Sequence, residues 1–92
     1  FDPLIFVPNA FTPDGDEYNN YFKAIAHNIT EFEMHIFNRW GELIYTIPSI
    51  DQSWDATFKG ELVKDDVYVW QIVYKDLNGK SYEMRGHVTV LK

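Results

Sequence analysis

Phe37-Asn38-Arg39-Trp40-Gly41 separates two apolar runs, and its reading decides the fold. Before it, Glu31, Glu33 and His35 alternate with Phe32, Met34 and Ile36, a period of two that defines a strand with one buried and one wet face. After it, Glu42 to Ile47 reads as the returning strand, ended by Pro48. The five residues between have hairpin-corner chemistry. Gly41 takes a positive φ without steric cost, and the Asn38 side chain closes the turn. Trp40 is expected to plug the corner, and Arg39 to lay its planar cation on an aromatic face.

The rest of the chain fits round that hairpin. Leu4-Ile5-Phe6-Val7 is a short strand stopped by Pro8. Residues 9–20 form a turn-rich loop in which Phe11 and Tyr18, with Tyr21 and Phe22 just beyond, are expected to pin the loop to the end of the fold. Tyr21 to Ile25 reads as a strand and Ala26-His27-Asn28 as a turn. Trp54 is expected to anchor the irregular stretch 49–57. Phe58 to Val63 reads as a turn with a short edge strand, and Lys64-Asp65-Asp66 as another turn. Val67 to Tyr74 is apolar on both faces and therefore central, with Tyr68, Trp70 and Ile72 on the core side. Asn78-Gly79 tips a hairpin. Lys80 to Lys92 is the last strand, with Tyr82, Met84, Val88 and Val90 in register and Gly86 at a bulge or crossing point. The expected fold is all-β, an antiparallel immunoglobulin-like sandwich of about seven strands.

Composition narrows the function. Ninety-two residues make one domain, spanning 1–92, with three Trp, six Tyr and seven Phe to fill a thin core. Cysteine is absent, which removes disulfides and thiolate metal sites. The net charge of −6, with single scattered basic residues, lacks the basic stripe that a phosphate backbone demands, so no nucleic-acid partner is expected. No apolar run approaches the ~20 residues of a bilayer span, and no membrane insertion is expected. Phe1 in place of Met reads as the start of a piece excised from a longer protein, with any targeting segment upstream.

Few constellations carry chemistry. Asp14, Asp16 and Asn20 place oxygens at alternating positions, as a calcium loop does, but Tyr18 interrupts them and the twelfth position is Ile25 instead of an acid. An Asx-rich turn accounts for them better. Asp51, Asp55, Asp65 and Asp66 fit solvated turns. His27, His35 and His87 lack metal-ligand spacing. No Ser or Thr stands in a nucleophile elbow, and no enzyme activity or cofactor is expected. Trp40, Trp54 and Tyr68 would make a sugar-stacking platform if they were exposed together, but aromatics at strand spacing are usually core.

Five blocks in order resemble one family. Pro8-Asn9-Ala10-Phe11-Thr12-Pro13-Asp14-Gly15-Asp16 is similar to its opening PNAFTPNGDG, and Ile36-Phe37-Asn38-Arg39-Trp40-Gly41 to its IFNRWG. Trp54-Asp55 resembles its WDG, Val67-Tyr68-Val69-Trp70 its GVYVY, and Gly86-His87-Val88-Thr89-Val90 its closing GxVTL. The family is the gliding-motility-associated C-terminal domain of Bacteroidetes, the type B sorting domain of type IX secretion. Asp14 stands for its Asn, Glu17 for a Gly, Asn20 for an Asp, Ala56 for the Gly of WDG and Asp66 for the Gly before VY. The resemblance implies a sorting signal at the C-terminus of a large secreted protein or adhesin. It would be recognised by the type IX machinery, including a PorP/SprF-like outer-membrane protein, pass through the periplasm, and end at the cell surface or in the medium. A monomer is expected. The residues expected to meet the partner are Asn9, Phe11, Thr12, Asp14, Asp16, Asn38, Arg39, Trp40 and Gly41. The alternative is a calcium- or carbohydrate-binding surface module of an extracellular adhesin.

Overall fold

The computed structural model describes residues 2–11 and 21–91. Nine strands run in chain order: β1 Leu4–Phe6, β2 Ala10–Phe11, β3 Ile25–His27, β4 Ile29–Phe37, β5 Leu43–Ile47, β6 Thr57–Phe58, β7 Glu61–Leu62, β8 Asp66–Asp76 and β9 Ser81–Val90. Five form the principal sheet in the order β2-β9-β8-β4-β5. The pairs β1-β3 and β6-β7, with a bridge between Phe22 and Trp54, supply the opposing layer of the sandwich. The all-β sandwich expected from alternation is therefore the fold. The count exceeds seven because three of the strands, β2, β6 and β7, have only two residues each, and one contact, β2 with β9, is parallel.

Alternation builds the core. β4 turns Phe32, Met34 and Ile36 inward; β8 turns Tyr68, Trp70 and Ile72 inward; β9 contributes Val88 and Val90. β8 is central, paired with β4 along one side and β9 along the other. A bulge lies where β4 and β5 approach the corner: Ile36 faces Tyr45 and Phe37 faces Leu43, which leaves Ile44 as the extra residue. Tyr45 thereby stacks on Trp54, with ring centroids 6.3 Å apart.

Four local expectations change. Ala26 and His27 belong to β3, held by pairing with Leu4 and Ile5, and only Asn28 turns, with φ +62°. Asp66 opens β8 opposite Val90 instead of ending a turn. Gly86 sits in unbroken register opposite Trp70, without a bulge. A Cβ at Gly86 would lie 2.3 Å from Cζ2 of Trp70, so the glycine makes room for an indole that lies flat across β9. Tyr21, expected to pin the loop, is exposed, while Phe22 beside it is fully buried.

Ala56 carries a positive φ of +66° where the family motif has Gly. The left-handed conformation costs about 1–2 kcal/mol for a residue with a Cβ. The Ala56 methyl is fully buried, and burial of one such group returns about 0.8 kcal/mol. The substitution is tolerated because the two effects are of similar size.

The β8-β9 hairpin is fixed by one carboxylate. Asp76 Oδ1 accepts from the backbone N–H groups of Asn78 (2.8 Å) and Lys80 (2.9 Å), and Oδ2 accepts from the Tyr82 hydroxyl at 3.0 Å. The Lys80 N–H leads the causes that hold Asp76 below the usual carboxylate range. The Tyr82 hydroxyl, which donates to that carboxylate, is raised in turn, and its ring stacks on Tyr74 at 5.2 Å.

Two outcomes are expected. Gly86→Ala forces Trp70 out of place and should destabilise the domain by about 1–3 kcal/mol, the range for overpacking, read from denaturant midpoints. The Asp76 carboxylate is depressed in the folded state, so its stabilisation is intact above the ordinary value of 3.8 and is lost as pH falls through it toward the lower folded value. Asp76→Asn should therefore make the decline in urea midpoint between pH 6 and pH 3 shallower.

Candidate functional site

Asn38 makes the corner rigid by using all its polar groups. Its N–H donates to Glu42 O and its carbonyl accepts from Gly41 N–H, both at 3.0 Å. Its Oδ1 accepts from the N–H groups of Trp40 (2.9 Å) and Glu42 (3.0 Å), and its Nδ2 donates to Glu42 Oε1 at 2.9 Å. Gly41 takes φ +82°, as the corner requires. This chemistry was readable in the sequence.

The position of Trp40 was not. The indole is 83% exposed and plugs nothing. The geometry explains the correction: Asn38 already closes the turn through its own side chain, so Trp40 lies at the apex, beyond the last pair of the sheet, Phe37 with Leu43. The Arg39 guanidinium carbon sits 5.4 Å from the Trp40 ring centroid, as expected of an adjacent cation and indole. Arg39 Nη1 also lies 3.6 Å from Asp66 Oδ2, which links the corner to the start of β8.

A groove runs beside this corner. Its walls come from Trp40 and from Leu62 of the β6-β7 hairpin, and its floor includes Ile44, Val63 and Tyr68. The Tyr68 hydroxyl donates to Lys64 O at 2.8 Å, and burial, followed by the charges of Asp66 and Asp65, raises it above its ordinary value.

The register also places Asn9 and Phe11. Thr89 N–H donates to Asn9 O (2.9 Å) and Leu91 N–H to Phe11 O (3.1 Å), so β2 lies against the end of β9, where Val90 faces Asp66. The end of β2 and the Asn38–Gly41 corner therefore belong to the same end of the sheet. Asn9 is exposed. Phe11 is 3% exposed, stacked on Phe22 and tilted against Trp54, and offers no side chain to a partner. Thr12, Asp14, Asp16 and Asn20 lie outside the described residues, and with them the whole calcium-loop candidate.

Among the described residues no three His, Asp or Glu side chains come together as a metal site would require. His35 pairs with Glu33, Nε2 to Oε1 at 2.8 Å, on the outer face of the sheet. The sugar platform does not assemble: Trp54 is fully buried and Tyr68 nearly so, which leaves Trp40 by itself.

The described residues thus form an all-β sandwich with a rigid, exposed Arg-Trp corner at one end. Residues 5–90 match the family described as the CHU_C type IX secretion signal domain, and the chain belongs to that family. The family is one of secretion signals, not enzymes, and membership implies export toward the cell surface or medium through the type IX machinery. No curated protein matches the chain.

Asn38→Ala removes three side-chain hydrogen bonds from the corner, all of them exposed to solvent. A loss of about 1–2 kcal/mol is expected from chemical denaturation, with broadening of the Trp40 and Gly41 amide resonances as the corner loosens.

Proposed function

We propose that this domain directs a large cargo protein through the type IX system by protein–protein recognition, and that the machinery reads the end of the sandwich bearing the Asn38–Gly41 corner. The observation that carries the reading is Trp40. A tryptophan left in water contributes little to folding, yet here the backbone beneath it is fixed by every polar group of Asn38. Trp and Arg are among the residue types most enriched at the energetic centres of protein interfaces, and a backbone already ordered beneath them leaves less entropy to be lost on binding.

The partner that meets this end is a PorP/SprF-like outer-membrane protein, approached from the periplasm. Recognition involves Asn38, Arg39, Trp40 and Gly41, together with Asn9 and the Thr12, Asp14 and Asp16 loop that follows β2. No catalytic step and no cofactor is part of the role. The cargo travels on to the cell surface or medium.

The test is a fluorescent protein with a Sec signal peptide fused upstream of residues 1–92, expressed in a type IX-competent host with the outer-membrane partner. Trp40→Ala and Arg39→Ala, separately and together, should change stability by no more than about 0.5 kcal/mol, as exposed substitutions do. The double variant should lower export at least about tenfold, the effect of losing ~1.4 kcal/mol of binding. Undiminished export of the folded double variant would overturn the assignment of this corner.

A further inference from the structure

The opposite margin of the principal sheet is open. β9 pairs with β8 from Ser81 to Val90 without interruption, but among the described residues its outer side is met only by β2, at Thr89 and Val90. Thr89 and Leu91 direct their N–H groups toward β2, so the odd-numbered residues before them, Glu83, Arg85 and His87, direct their N–H and C=O groups outward in the same way. Among the described residues no backbone pairs with them. The stretch contains no proline and no bulge, the usual devices that blunt an edge.

We propose that Ser81–His87 is a self-association edge at which a second copy of this chain adds antiparallel to β9, in the one register that sets Glu83 opposite the partner's Arg85. Two independent observations select that register. The first is the extent of the open edge. The Asp76–Lys80 turn bounds it at one end and β2 at the other, and the seven free residues are centred on Met84. A two-fold axis through Met84 therefore uses the whole edge.

The second observation is charge. With the axis at Met84, Glu83 of each copy faces Arg85 of the other, and opposite charges directly across an antiparallel pair are stabilising. The smallest slip that still opposes outward N–H and C=O groups is two residues. In one direction it sets Arg85 against Arg85, and in the other Glu83 against Glu83. Both alternatives place like charges face to face. Within one chain Glu83 and Arg85 already touch, Nε to Oε1 at 3.2 Å, with both side chains largely exposed, so the dimer would complete an alternating array of four charges.

The inward face agrees. The same register places Tyr82 opposite the partner's Gly86, whose missing side chain leaves no clash between them, and Met84 against its own copy on the axis. The two copies form one sheet eight strands across, β5-β4-β8-β9 of one copy followed by β9-β8-β4-β5 of the other, with each β2 kept at the end of its own β9. Each Asn38–Gly41 corner remains free, because it closes the hairpin at the far margin, beyond β4 and β5. The dimer does not depend on the sorting role and would present two recognition corners on one particle.

Sedimentation equilibrium on the 92-residue chain, from micromolar to about millimolar concentration, tests the proposal. The wild type should approach the mass of two chains. Glu83→Arg and Arg85→Glu should each weaken association at least about tenfold, since two attractive pairs become two repulsive ones. An equimolar mixture of the two variants should dimerise, because each Arg-bearing edge then meets a Glu-bearing one. The double variant E83R/R85E should dimerise as the wild type does. Circular dichroism on each variant establishes that the sandwich is retained. A wild type that stays monomeric throughout, single variants that associate as tightly as wild type, or a mixture that fails to pair would each overturn the proposal.

Discussion

Trp54 is the contact through which the two layers become one core. Its backbone exchanges hydrogen bonds with Phe22, at 2.7 and 2.9 Å, and its Nε1 donates to Thr57 O at 3.0 Å. Its ring meets Phe11 from β2, Tyr45 from β5 and Tyr68 from β8, with centroid separations from 5.7 to 6.3 Å. A domain of this size without a disulfide depends on a few large side chains to bury enough surface. One indole touching three strands and a bridge does so while satisfying its own N–H. The other buried indole, Trp70, leaves its Nε1 without a partner and rests on the space that Gly86 provides. The aromatic content therefore divides into an anchor with its polar group paired, a filler tolerated for its volume, and a third ring, Trp40, that the fold does not bury.

How far the sequence disclosed this depends on which residues carry local signals. The alternation of β4, the corner chemistry of Asn38 and Gly41, the hairpin at Asn78-Gly79 and the inward set of β8 all follow from patterns within a few residues, and all are in the fold. The family blocks carried the class of function. What escaped was long-range. Trp54 is the anchor expected of its irregular stretch, but its bridge to Phe22 spans more than thirty residues, and nothing near Trp40 marks its ring as lying at the apex of a closed turn. Gly86 reads as a bulge until Trp70, sixteen positions earlier, is placed opposite it. β3 exists because β1 pairs with it, not because Ile25-Ala26-His27 has a strand pattern of its own.

Rigidity and exposure have been distributed to different places. The corner takes its order from backbone and side-chain hydrogen bonds within five residues, so it does not need Trp40 to be buried. The core takes its order from aromatic contacts between distant segments, so it does not need the corner. Substitutions of the exposed Trp40 side chain should therefore leave the stability of the core unchanged. Charge follows the same division: Asp76 is committed to the turn opposite the corner, while Arg39 and Asp66 lie beside the groove.

The parallel contact of β2 with β9 has a temporal meaning. It joins Ala10 and Phe11 to Thr89 and Val90, near the two ends of the described chain, and β8 has no second neighbour until β9 exists. Pairings of such sequence separation form late, because the intervening chain must be closed before they return any stabilisation. A ribosome that stalls before Ser81 releases a product in which β2 has no strand to join and β8 has only β4. The shape that displays the corner is then never assembled. A signal built this way takes its shape only once β9 has been made.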